Sequence, residues 1–283
     1  MSLAQQASAA FTVERLSPTI GAELSGIDLS QALPDSTIAE IYQALLDYKV
    51  IFFRDQNITS QQHLAFGRRF GALEVHPFAA QDPEFPELLR ITHNEENKGQ
   101  ENLWHSDVTW RAEPSLGSIL RAHEIPDVGG DTLFADMGQA YDDLSETLKE
   151  QLDGLTAIHD AVGFRQRMRE KGASEDEVNA MRERYPAQEH PVVRTHPNTG
   201  RKTLYVNRAF TQSIVGMSAE DSQAILDQLY RTAAVPEYQC RFKWQSNSIA
   251  FWDNRACQNY AVSDYWPQVR SVERVTIIGD RPR

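Results

Sequence analysis

Trp104-His105-Ser106-Asp107-Val108-Thr109-Trp110 is the stretch on which the fold turns. An imidazole and a carboxylate two residues apart point at one spot when the backbone is extended. Such a pair supplies two thirds of the 2-His-1-carboxylate arrangement that holds non-haem Fe(II) with positions left open. On a strand over 103–110, Trp104, Val108 and Trp110 populate one face, and His105, Asp107 and Thr109 the other. A surface strand with two outward polar residues looks the same, so the surroundings must decide.

Around this stretch the pattern is rich in strands: 88–92, 115–123 and 131–135 read as β, with Gly129-Gly130 as a turn. Upstream, 35–48 reads as a helix with Ile38, Ile41, Tyr42 and Leu45 on one face and Asp35 or Ser36 as its cap. A buried strand over 49–53 and an amphipathic helix over 60–70 follow. From Met137 to Tyr185 the signal becomes helical and charged. A hairpin over 192–196 and 202–206, a helix over 218–232 and strands over 240–245, 248–252 and 272–278 complete the chain. This is a mainly β chain with helical decorations, a β-sandwich or a jelly roll. Side chains on opposed strands of a jelly roll converge inside it, so the His105/Asp107 pair favours that choice. With no repeat or linker, one domain over 11–283 is expected, after an unstructured stretch over 1–10.

At 283 residues, with 41% hydrophobic and 24% charged content, the composition is that of an ordinary globular protein with ample length for a core. A net charge of −12 argues against nucleic acid and anionic membrane as partners. It leaves room for a small anion held by a few arginines. Cys240 and Cys257 form neither a disulfide framework nor zinc-ligand spacing, and a reducing cytoplasm is the simplest setting. The first ten residues lack the basic start and apolar run of a signal peptide, and no stretch approaches the roughly 20 apolar residues of a membrane span.

Six segments in order carry a resemblance. They are Gly21-Ala22-Glu23-Leu24-Ser25-Gly26-Ile27-Asp28-Leu29, Trp104-His105-Ser106-Asp107-Val108-Thr109, Gly129-Gly130-Asp131-Thr132-Leu133, His190-Pro191-Val192-Val193-Arg194-Thr195-His196-Pro197, Trp252-Asp253-Asn254-Arg255 and Arg274-Val275-Thr276-Ile277-Ile278-Gly279-Asp280. The chain resembles the taurine dioxygenase family of Fe(II)/2-oxoglutarate-dependent dioxygenases, which includes alkylsulfatases and aryloxyalkanoate dioxygenases. The resemblance implies a double-stranded β-helix (jelly-roll) core, and Fe(II), 2-oxoglutarate and O₂ as cofactor and co-substrates. It also implies a dimer or tetramer.

By position, the resemblance makes His105 and Asp107 the first two iron ligands. Thr132 and Arg270 hold the distal carboxylate of 2-oxoglutarate, a role that suits a guanidinium fork and a hydroxyl donor. Arg274 grips the anionic head of the substrate, and four residues apart on a strand it faces the same side as Arg270. His76 contacts substrate, and Phe210 lines the apolar part of the cavity or packs in the core. The tyrosine expected after His76 is absent from Pro77-Phe78-Ala79-Ala80. An asparagine is expected four residues before His105, where Glu101 stands and Asn102 adjoins it. These departures disfavour taurine itself and leave an anionic head group as the shared requirement.

The third iron ligand departs too. The family's histidine position holds Asn259, whose neutral amide oxygen is a weaker donor better suited to hard cations. Asn259 as a weak ligand, a water in its place, and a protein without turnover are the three options, and an engineered change reads the same. Two functions follow. One is a dioxygenase that hydroxylates a small sulfonate, sulfate ester or carboxylate and releases succinate and CO₂. The other is a relative that binds 2-oxoglutarate or an organic anion without efficient turnover. A nucleophilic hydrolase is a distant third, since no nucleophile elbow is visible.

Overall fold

The computed structural model describes residues 6–7, 10–79, 82–99 and 101–283. Most of the 1–10 stretch expected to be unstructured lies outside them. Gln6–Ala7 pairs antiparallel with Val13 and Thr12.

Two sheets enclose the site. The larger has eight strands, in the order Gln6–Ala7, Thr12–Arg15, Ala22–Ser25, Val50–Phe53, Ile249–Asp253, Ser115–Glu124, Arg270–Ile278 and Leu88–His93. The smaller has Thr132–Asp136 between Gln239–Phe242 and Cys257–Ala261. Their inner faces pack Val50, Phe52, Leu120, Ala250 and Val272 against Phe134, Cys240, Phe242 and Cys257. Phe52 stacks on Phe242 at a centroid distance of 4.0 Å. This is the jelly-roll interior that the strand pattern allowed.

Strand alternation sends Ile51, Phe53, Ile119, Ile249, Phe251, Val275 and Ile277 to the other face of the large sheet. The helices Asp35–Tyr48 and Ser60–Arg68 cover that face with Ile41, Leu45, Leu64 and Phe66. The first helix has the expected bounds but not the expected cap. Pro34 takes the N-cap position and no side chain accepts a hydrogen bond there, since Asp35 already lies inside the helix. A third cluster joins the helices Met137–Asp142, Glu146–Leu152 and Ala219–Thr232 to Ala157, Val192, Leu204 and Ile214. Among the described residues no helix is long and apolar enough to cross a membrane.

The outer clusters bury ionisable groups, with a consequence for acid stability. His159 is fully buried, and burial, helped by neighbouring His190, pushes its imidazole down to about 3. The unfolded chain therefore binds a proton below pH ~6.5 that the folded chain refuses, so stability falls as pH falls. One such group contributes about 1.4 kcal/mol per pH unit. The melting temperature is expected to drop steadily between about pH 6.5 and 5, before carboxylates protonate, and His159→Gln to flatten that slope. Calorimetric scans across this range check it, and a flat profile in the parent protein would contradict it.

Candidate metal and co-substrate site

The 103–110 stretch is not the strand its alternation suggests. His105 makes a single antiparallel bridge with Asn259, and the chain then turns through 107–110. The partner strand Cys257–Ala261 pairs with Thr132–Asp136 along its length. The Asp107 N–H donates to the Asn254 side chain at 3.0 Å instead of to a strand neighbour. Val108 sits at φ +50°, an uncommon conformation for a β-branched residue and a sign of local strain at a working site. Trp104, Val108 and Trp110 accordingly do not share a face. Trp104 packs near Tyr260, whereas Val108 and Trp110 join a separate aromatic cluster. Thr109 is buried away from the pair and accepts a hydrogen bond from Asn207 at 3.0 Å.

The turn brings the His105 and Asp107 side chains together. His105 Nδ1 lies 2.7 Å from the Leu103 carbonyl, which places the ring hydrogen on Nδ1 and leaves the Nε2 lone pair free. Nε2 faces Asp107 Oδ1 at 3.3 Å. Two lone-pair atoms at that separation suit a cation: adjacent ligands at the bond lengths of about 2.1 Å typical of first-row metals stand roughly 3 Å apart. The other oxygen, Oδ2, accepts from Ser118 Oγ at 2.6 Å and lies 3.2 Å from Arg274 Nη1. Burial favours the neutral acid, but the Arg274 guanidinium, with the Ser118 hydroxyl, outweighs it and holds the Asp107 carboxyl well below its ordinary range.

Asn254 organises this carboxylate. Its Oδ1 accepts from the Asp107 N–H and from Trp252 Nε1, and its Nδ2 donates to Ser115 and Ser118. Sequence reading noted the Trp252-Asp253-Asn254-Arg255 segment without giving Asn254 a role, and it missed Ser118. The available signal was the inward register of Ser118 on the 115–124 strand. Asn254→Ala is expected to weaken divalent-metal binding about 10- to 100-fold, the usual effect of losing a partner behind a ligand. A Mn(II) titration of both proteins checks it.

Asn259 lies on the Cys257–Ala261 strand, opposite His105. Its backbone N–H and its Nδ2 both donate to the His105 carbonyl, at 2.7 and 3.1 Å. With Nδ2 so engaged, Oδ1 is the atom left for a cation. Among the described residues no cluster of three His, Cys, Asp or Glu side chains could hold a metal, as an amide in the third position requires.

Arg270 and Thr132, the two residues expected to hold the distal carboxylate, both meet Trp244. Arg270 is 4% exposed, donates through Nε to the Gly130 carbonyl at 3.1 Å, and has no carboxylate within ion-pair distance among the described residues. Burial lowers its pKa. Trp244 and Tyr265 flank its guanidinium at 5.8 and 5.9 Å. Thr132 Oγ1 accepts from Trp244 Nε1 at 2.9 Å, which leaves its own hydrogen free to donate. Gly130 has φ +71°, and a Cβ there would lie 3.2 Å from Arg270 Cδ, so glycine is needed for this approach. Sequence reading placed Gly130 in a turn but missed Trp244.

Arg274, expected to grip the substrate's anionic head, is drawn to Asp107, and its buried Nε has no hydrogen-bond partner among the described residues. His76 stands near Phe164, Phe78 and Trp110, at centroid distances of 5.4, 6.3 and 6.5 Å. Burial, then Arg274 and Arg111, push its imidazole down to about 3, so it is neutral at physiological pH. Phe210 is buried, edge-on to His105 at 6.3 Å and stacked with Phe164 at 6.0 Å. Phe210 thus packs in the aromatic cluster and lies beside His105. Asn102 is exposed, and the structure does not bring its side chain to this group. A cavity of about 460 Å³ shares Trp110 and Tyr185 with the aromatic wall, and none of His105, Asp107, Thr132, Asn259 and Arg270 lines it.

A family model described as taurine catabolism dioxygenase TauD, TfdA family matches residues 12–276. The chain is 39% identical to an alkylsulfatase from Acinetobacter baylyi, over 95% of this chain and 85% of that one. It is 35% identical to an alpha-ketoglutarate-dependent sulfate ester dioxygenase from Pseudomonas putida, over 93% and 88%. The crystal structure of a taurine dioxygenase from Burkholderia xenovorans superposes with a TM-score of 0.82 at 38% identity, covering 96% of this chain and 91% of that one.

Proposed function

The chain belongs to the taurine catabolism dioxygenase TauD, TfdA family, and we propose that it is an Fe(II)/2-oxoglutarate-dependent dioxygenase hydroxylating a small anionic organosulfur compound. The observation that carries this reading is Arg270: a buried guanidinium with an open fork and no carboxylate partner among the described residues. A buried unpaired cation is costly, and a bound dicarboxylate relieves it.

His105 Nε2, Asp107 Oδ1 and Asn259 Oδ1 hold the metal, while Arg270 and Thr132 hold the distal carboxylate of 2-oxoglutarate. Bound together with O₂, iron and 2-oxoglutarate supply the oxidising power: the co-substrate loses CO₂ to become succinate, and one oxygen atom goes to each of succinate and substrate. The chain's own residues orient the reactants. Arg274 grips the anionic head once an incoming anion competes with Asp107 for it, and neutral His76 contributes a hydrogen bond without adding charge. Phe78, Phe164 and Phe210 exclude water along the substrate's carbon skeleton, whereas Asn102 is left at the rim. An ammonium such as that of taurine finds no partner on this wall. Sulfate esters and sulfonates with apolar chains suit it better, and hydroxylation beside the ester oxygen or sulfonate would yield an aldehyde and the free anion.

We place this activity in a single catalytic domain over 11–283. With two free, buried cysteines the chain suits the cytoplasm, and the resemblance supports a dimer or tetramer. The engagement of Asn259 Nδ2 with the His105 carbonyl favours a second reading, in which the amide serves the backbone and turnover is slow. A succinate assay with Fe(II), 2-oxoglutarate and a panel of alkyl sulfates, sulfonates and carboxylates tests the proposal. Substrate-dependent succinate supports it. Binding of 2-oxoglutarate with no succinate above the substrate-free rate on any member would replace it with the second reading.

A further inference from the structure

Three arginines follow one another at every second position on the helix Val162–Glu170, and two of them are paired with carboxylates. Arg165 meets Asp160 at 2.7 Å, and Arg169 meets Glu175 at 2.7 Å. Arg167, between them, has no carboxylate within ion-pair distance among the described residues, although it is half-buried in a chain of net charge −12. Its guanidinium lies 4.7 Å from the centre of the Phe164 ring. Phe164 stacks on Phe78 at 5.1 Å, stands 5.4 Å from His76 and stacks on Phe210 at 6.0 Å. Arg167 therefore caps the same aromatic wall whose other end reaches His105 through Phe210. Its charge is felt at His76 together with that of Arg274.

A cation parked on an aromatic face keeps its donors free and its position fixed. If this wall lines the substrate site, a guanidinium stands at each end of it, Arg274 beside Asp107 and Arg167 over Phe164. We propose that Arg167 is the second anion contact of this pocket, and that the substrate is a dianion: a sulfate ester or sulfonate with a carboxylate at the far end of an apolar body. This rests on the reading of the pocket as a substrate site, with Arg274 taking the head group.

The test compares alkyl sulfates with ω-carboxyalkyl sulfates of matched length, by calorimetric titration in the presence of Mn(II) and 2-oxoglutarate under anaerobic conditions. The parent protein is expected to bind the dianion of best length about tenfold or more tightly than the matched monoanion, as a charge-assisted contact provides. Arg167→Gln is expected to erase that preference while leaving monoanion affinity unchanged, and Arg167→Lys to restore part of it. Equal affinity for both compounds at every length, or a preference that survives Arg167→Gln, overturns the inference and leaves the pocket assignment standing. Failure of the parent protein to bind either compound overturns the pocket assignment, and this inference with it. A melting temperature unchanged in Arg167→Gln separates lost contact from lost fold.

Discussion

Arg270→Met is expected to lower 2-oxoglutarate affinity by about 10²- to 10³-fold while leaving the apo protein at least as stable as its parent. The first effect follows from losing a charge-assisted, two-pronged contact in a buried setting, worth about 3–4 kcal/mol. The second follows from the same burial. Arg270 is 4% exposed, donates one hydrogen bond to Gly130 and has no carboxylate partner among the described residues. Tyr265, Glu101 and Asp131 offset its desolvation only in part until an anion arrives, and an unbranched apolar side chain in its place avoids that cost. Most losses of a buried charged residue destabilise, so a gain or no change in melting temperature alongside lost binding is a distinctive result. Calorimetric titration and thermal melts of the two proteins read both quantities. A fall of several degrees in the apo melting temperature would mean that Arg270 is a structural residue with a partner of its own.

Asn259→His is expected to tighten Fe(II) binding by about 100-fold, because an imidazole is a far better donor to a first-row transition metal than a neutral amide oxygen. The histidine occupies the bridge position opposite His105, where the backbone hydrogen bonds of 2.7 and 3.1 Å are independent of the side chain. Only the Nδ2 contact to the His105 carbonyl is lost, worth about 1 kcal/mol. The direction of the catalytic effect separates the two readings of the site. If succinate formation rises with metal affinity, the amide is an impaired ligand. If affinity rises and succinate formation does not, Asn259 is a working part of the site. Anaerobic Fe(II) titration followed by single-turnover succinate measurement distinguishes them, and unchanged affinity would show that position 259 does not face the metal at all.

Much of the site was legible in the sequence because single positions on regular strands carry it. Arg274 lies on a strand whose apolar pattern reads over 272–278, the observed strand begins two residues earlier at Arg270, and Thr132 opens the strand expected after Gly129-Gly130. His105 and Asp107 are brought together as expected from the sequence, but for a different reason. His105 and Asp107 converge through one bridge and a turn with Val108 at φ +50°, not through strand alternation. A strained turn leaves no periodic trace, because it is set by a partner 147 residues away, the Asn254 side chain. Ser118, Asn254 and Trp244 were missed for a related reason: each acts by holding another functional side chain. Such roles depend on contacts between distant strands, which local pattern does not encode. The Cys257–Ala261 strand escaped notice because its apolar and polar residues do not alternate and it lies buried between neighbours.

The proposed function requires a metal at His105 and Asp107 beside a 2-oxoglutarate held by Arg270. An anaerobic calorimetric titration of 2-oxoglutarate, with and without Fe(II), tests this most directly. The account predicts one co-substrate per chain, bound at least tenfold more tightly when Fe(II) is present, with that gain lost in His105→Ala. Binding that is indifferent to Fe(II), or a metal-dependent gain that persists in His105→Ala, would contradict it.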